Sequence, residues 1–200
     1  MSNNPPTLAF DLERDLRALS AMASHLTPYL YEDDIYGYLG PDLPQLTLGG
    51  LLLRLHRLGQ LSPALDAAQQ NQVREARSAF EAARSQWKTH YERKLGRELR
   101  SRIDALNRFL DECAADLRGC AASYPTQAEK RAMIEHLRAE ADALDVLTDD
   151  QEARLSRVDQ KLKRLLSEGD FISDARLKDA YPRDVFWWLY GFIPDESPQK

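Results

Sequence analysis

The chain is predicted to be all-α: a long, coiled-coil-like antiparallel helical hairpin on a small helical base, which is formed by the N-terminal helices and an aromatic C-terminal segment. Three observations carry this. Apolar residues recur at steps of three and four along most of the 200 residues, and no stretch alternates with the period of a strand. Between Pro63 and Pro125 there is no proline, and Gly96 and Gly119 are the only glycines. Residues 126–168 contain neither.

Taken in order, Leu12, Leu16, Leu19, Met22, Leu26 and Leu30 mark a first helix over about 8–30. Residues 31–46 carry two Gly, two Pro and the acidic triplet Glu32-Asp33-Asp34, and read as a solvated loop. Thr47 is an N-cap for a short helix to Leu58, with Gly59 placed to end it in the left-handed conformation. Ser62-Pro63 restarts a helix with proline in its first turn.

The next apolar seam runs through 73, 76, 80, 83 and 87, then in steps of four through Tyr91, Leu95, Leu99 and Ile103. It then regains its alternation at Leu106, Leu110, Cys113, Leu117 and Cys120. Steps of four exceed the 3.6 residues of a turn, so one long helix with a bend near Gly96 is expected. Ser123-Tyr124-Pro125 should end it, and Thr126 to Glu129 spells a capping box for its successor. Thr148 to Gln151 spells a second box, but the seam from Ile134 to Leu165 keeps its phase across it. A single helix over 127–167, stopped by Gly169, is therefore expected. At 1.5 Å per residue, helices of about 58 and 41 residues would measure roughly 87 and 61 Å. A compact chain of this length has a radius of gyration near 16–17 Å, so the two should fold back on each other with a tip at 119–126. Residues 95–108 would then face 140–152. The expected organisation is 1–62 as base helices, 63–169 as hairpin, and 170–200 as a segment closing the base. This last part includes a short helix over 184–190 and a disordered tail over 195–200.

The formal charge is −5, which argues against a dedicated nucleic-acid binder. No basic-then-apolar leader is visible at the N-terminus. The longest uncharged apolar runs, Leu43–Leu53 and Val185–Pro194, are about half the 20 residues of a spanning helix, so a cytoplasmic location is expected. Cys113 and Cys120 lie two helical turns apart, about 10.5 Å in an intact helix. A disulfide needs roughly 4.4–6.8 Å, so free thiols in a reducing compartment are expected.

None of the four histidines follows an acid by three or four positions, and only His136 precedes one at four, Glu140. Di-metal carboxylate chemistry in a bundle needs such pairs, so no metal is expected. No phosphate-binding, dinucleotide or nucleophile-elbow pattern is present, so neither a cofactor nor a catalytic residue is expected. Arg84 and His90 stand six apart, Arg131 and His136 five apart. This is similar to the Arg-x(4–6)-His spacing of the HEPN ribonucleases, helical bundles that use the pair to cut RNA; the plainer reading is solvated helix surface.

Seven cations, Arg84, Lys88, Arg93, Lys94, Arg97, Arg100 and Arg102, face only Glu92 and Glu98 in the same span, and Trp87, His90 and Tyr91 are interleaved. Such a strip suits an acidic partner or an RNA backbone, or pairs with acids of the returning helix. Phe186, Trp187, Trp188 and Tyr190 read as core at the base or as a partner-docking patch. The sum is a non-enzymatic protein–protein interaction scaffold or adaptor, self-associating or a complex subunit. The alternative is an RNA-binding or HEPN-like RNA-cleaving protein.

Overall fold

A computed structural model describes residues 7–113 and 115–195. The expected tail falls almost wholly at 196–200, outside the described residues. The fold is all-α, with helices α1 (Leu12–Ser24), α2 (Leu26–Tyr31), α3 (Leu48–Gln60), α4 (Ala67–Gln86), α5 (Lys88–Glu112), α6 (Leu117–Ala143) and α7 (Asp149–Leu165). A two-stranded antiparallel sheet joins β1 (Ser167–Glu168) to β2 (Gly191–Phe192), with Ser167 opposite Phe192. The chain divides into two compact units. One comprises Asp11–Leu99 with Glu135–Leu147; the other takes in Thr7–Phe10, Arg100–Ile134 and the described residues from Thr148 on.

In the first unit Asp11 caps α1 by accepting the Arg14 amide at 3.0 Å, and Leu16, Leu19 and Met22 are buried along one face. The single expected helix is two, separated at His25. Pro28 weakens the junction: it has no N–H to give the Ser24 carbonyl, so the ladder loses a bond there. Thr47 does cap α3, accepting from Gly50 at 3.0 Å. Glu98 of α5 accepts the amides of Leu48 and Gly49 at 2.7 and 3.0 Å, and Leu51 donates to the Thr47 carbonyl at 3.0 Å. The three donors of Leu48, Gly49 and Gly50, which no turn of the helix itself can satisfy, are thus met in the interior, and Leu51 makes the first bond of the ladder. Gly59 does not end α3, which continues to Gln60. Pro63 lies in a short 3-10 turn, and α4 begins instead at an Asp66–Gln69 capping box with bonds of 2.9 and 3.1 Å. Asp15 is buried between Arg54, at 3.3 Å, and Arg57.

The long helices break elsewhere than the sequence suggests. Gly96 is an ordinary residue of α5; the discontinuity is at Trp87, whose backbone departs to φ −115° and ψ 37°. Trp87 still donates to Ala83 and accepts from Tyr91, each at 2.9 Å, so the ladder swerves while hydrogen bonds continue on both sides. The reversal expected at 119–126 is absent, and α6 runs through it with Pro125 inside. The stop comes earlier, where Asp116 accepts the Gly119 amide at 2.9 Å and the Cys120 amide bonds the Asp116 carbonyl at 3.0 Å. A side chain at Gly119 would collide with that capping carboxylate. Cys113 and Cys120 are joined by a disulfide with their Cα atoms 5.3 Å apart. The free-thiol expectation is overturned because it assumed an intact helix between them.

The continuous helix over 127–167 is also two. Ala143 is followed by a Schellman turn: Val146 bonds the Ala141 carbonyl at 2.9 Å, Asp145 bonds that of Asp142 at 3.0 Å, and Asp145 has φ 58°. The left-handed position, usually glycine, is an aspartate here. Thr148 and Gln151 then form the reciprocal capping box at 3.3 and 3.0 Å.

In the second unit Arg154 reaches Asp104 at 3.5 Å and Lys161 reaches Asn107 at 2.9 Å, so α7 runs in the same direction as α5 there. Buried Arg131 grips Asp159 with two 2.8 Å bonds and lies 4.0 Å over the Trp188 ring. The expected helix over 184–190 is only a 3-10 turn, Trp187–Leu189. Extended chain follows because Gly191 and Phe192 pair with β1, and Gly169, beyond the end of α7, donates to the Tyr190 carbonyl at 3.1 Å.

Candidate functional site

The chemistry-bearing residues of the first unit gather where residues 31–38 lie over the N-terminal half of α5. Tyr29 starts this arrangement. Its hydroxyl donates to the Ile35 carbonyl at 2.9 Å, its ring lies 3.7 Å from the Lys94 ammonium, and Gly37 passes so close that a Cβ would sit 3.0 Å from it. Gly37 and Leu46 exchange two 2.8 Å backbone bonds that close the loop's neck. Lys94 donates to the carbonyl of Tyr29 and, at 2.8 Å, to that of Asp34. Burial pushes this ammonium below its ordinary range, with nearby Glu32 acting against the shift. Lys94, expected on a partner-binding strip, is therefore an internal clamp.

The other cations of the strip are placed differently. Arg84 bonds Glu140 at 2.8 Å, and the same carboxylate accepts the buried Tyr91 hydroxyl at 3.0 Å; burial first, and Glu140 second, raise that phenol far above its usual range. This is the pairing with the returning acids that the sequence allowed. Lys88 stands 3.7 Å from Glu92, Arg93 is 3.1 Å from His90 Nδ1, and Arg97 is 3.8 Å from Asp33 across the loop. Arg100 is exposed and Arg102 half-buried, both in the other unit. Lys88, Arg93 and Arg97 therefore remain at the surface of the first unit.

On this surface Tyr31 rests on Trp87 and His90, each ring 4.8 Å away. It is 47 % exposed, Tyr36 42 % and Tyr38 79 %. The only other large apolar side chain so exposed among the described residues is Val185. The sequence reading passed over these tyrosines as loop. The available signal was three aromatics within eight residues of a Gly- and Pro-rich connection, a place where nothing in the local pattern buries them.

The C-terminal aromatics are placed inward. Phe186, Trp188 and Tyr190 are buried, while Trp187 is half-buried beneath Lys163, whose ammonium lies 4.9 Å from the ring. Tyr124 donates to the Trp188 carbonyl at 2.5 Å, and Tyr190 to that of Tyr181 at 2.6 Å. These rings hold their segment onto α6, as core residues do.

Of the two Arg/His pairs, Arg131 is consumed by Asp159, and His136 lies tilted against His56 with ring centroids 4.7 Å apart. An open groove of about 320 Å³ lies between α5 and α7, floored by Ile103 and Val158 and edged by Arg154, Arg157 and Lys161. Two of its cations already meet acids: Arg154 at Asp150, 2.8 Å, and Lys161 at Asp111, 2.5 Å. Among the described residues no three His, Cys, Asp or Glu side chains converge as metal ligands, and no helix is long and apolar enough to cross a membrane. Compared with known proteins, the chain matches no family model, no curated protein and no solved structure.

Proposed function

We propose that this protein is a non-enzymatic interaction module, a scaffold or adaptor that self-associates or serves as a subunit of a complex. The supporting observation is the concentration of exposed rings on 31–38, beside surface cations of α5. Tyrosine offers a large apolar face with a polar tip and few rotatable bonds, which makes it an economical contact residue. Completing the burial of one such ring stabilises a complex by roughly 1–2 kcal/mol. The acids and bases in the interior serve the fold: Glu98 closes α3, Asp15 joins two arginines, and Lys94 clamps the loop. A cytoplasmic location fits only with the Cys113–Cys120 disulfide reduced, since reducing compartments do not sustain such bonds.

Replacing Tyr38 with p-benzoylphenylalanine and irradiating in lysate of the producing cells tests the proposal. A protein adduct that disappears when Tyr31 is also changed to Ser is the expected result. An RNA adduct at the same position would move the assignment to the RNA-directed alternative, and no adduct of either kind would sink both.

A further inference from the structure

We infer that the occupant of the 31–38 surface is a second copy of this chain, docked about a two-fold axis; this rests on the interaction reading above. The surface carries both signs of charge, each sign on one of two clipped-together elements. Glu32, Asp33 and Asp34 project from the loop, and Arg93 and Arg97, neighbours on one face of α5, from the turns beneath it, all five exposed. A phosphate backbone or a uniformly acidic protein would meet the three acids, and a uniformly basic protein would meet the two arginines. A two-fold axis instead sets the acids of each copy against the cations of the other, because an isologous interface contacts itself with every pair made twice.

The internal pair does not oppose this. Asp33 and Arg97 are 3.8 Å apart with side chains 98 % and 50 % exposed, so little is lost when each exchanges its partner for one in the other copy. Tyr31, Tyr36 and Tyr38 supply the apolar centre. Rings of this kind bury about 150–250 Å² each when wholly covered, and with 47 %, 42 % and 79 % of these three still exposed they offer roughly 250–420 Å², a third to a half of the roughly 800 Å² a standard interface covers on one partner. Trp87 backs the centre from within the chain, its ring 4.8 Å from that of Tyr31.

The experiment uses the purified full chain in sedimentation velocity over a wide concentration range, with two charge-reversed variants. One carries Arg93→Glu and Arg97→Glu, the other Glu32→Arg and Asp33→Arg. The native chain is expected to dimerise, and each variant alone to do so at least about tenfold more weakly, since like charges then face each other at both symmetric contacts. Mixed one to one, the variants should form a heterodimer of near-native affinity, a rescue that pairing within one chain cannot produce. Circular dichroism matching the native chain qualifies each variant. Tyr38→Ser, which leaves every charge in place, must weaken the dimer as well. A native chain monomeric throughout overturns the inference, while the module reading still stands or falls on its cross-link. A native dimer that both variants retain, or variants whose mixture stays monomeric, also overturns it.

Discussion

Glu98, in the middle of α5, accepts the amide of Gly49 at 3.0 Å, forty-nine residues earlier in the chain. With the Leu48 amide at 2.7 Å it makes a fully buried carboxylate the N-terminal closure of a different helix. Glu98→Gln keeps the shape but leaves one acceptor oxygen for two amides. A loss of about 1–3 kcal/mol is expected in urea denaturation, from the amide left facing an NH₂ group. A midpoint equal to the native one would mean that Glu98 does not hold α3.

Asp145 takes the left-handed position of a Schellman turn, where a side chain costs about 1 kcal/mol relative to glycine. Asp145 is exposed. Asp145→Gly should therefore stabilise the chain by roughly 0.5–1 kcal/mol, against the usual trend for a glycine substitution. Thermal unfolding reads the sign directly, and a lower melting temperature would contradict the turn.

The Cys113–Cys120 bond closes a short loop between α5 and α6. Constraining so small a loop in the unfolded chain is worth roughly 2–3 kcal/mol. Dithiothreitol should lower the melting temperature of the native chain and leave that of Cys113→Ser unchanged. Equal responses of the two chains would show that the bond does not form.

Burial, helped by the positive field of His56 and Arg57, pulls the His136 imidazole down to about 3. In the unfolded chain it titrates near 6.5. The folded form is therefore neutral where the unfolded form binds a proton. The stability tied to this group is complete above about pH 6.5 and declines by about 1 kcal/mol per pH unit as pH falls toward 3. His136→Gln should flatten that part of the curve. Denaturation series at pH 7, 5 and 4 with parallel slopes for the two chains would refute the assignment.

Where the sequence reading and the structure part, the cause is specific in each case. Thr47 was legible as a cap because Ser and Thr caps act on their own next turn, within reach of local pattern. The Thr148 capping box was legible too, yet the unbroken seam outweighed it, because Asp145 performs a turn that sequence patterns assign to glycine. Asp116 hid inside a helical stretch, and with it went the disulfide, since the exclusion of that bond depended on an unbroken helix. Trp87 carries no breaker signal at all; its backbone swerves where its ring meets Tyr31 from another element. For the surface, the cationic strip was visible as composition, but nothing in the sequence separates Lys94, turned inward, from Arg97, turned outward.

The amino-acid sequence alone determined that the chain is helical, which faces of its helices are apolar, and that its surface charges are mixed. Each of these is a periodic or compositional property, set by neighbours within a turn or two. The tertiary structure alone decided where the long helices stop, which charges are spent inside, and that three tyrosines of one loop stay partly exposed. Those outcomes depend on what meets a residue from far along the chain: a carboxylate reaching a distant helix start, an ammonium bonding two carbonyls of a loop, a ring stopped by another ring. Such meetings are fixed by packing in three dimensions, which local periodicity does not encode.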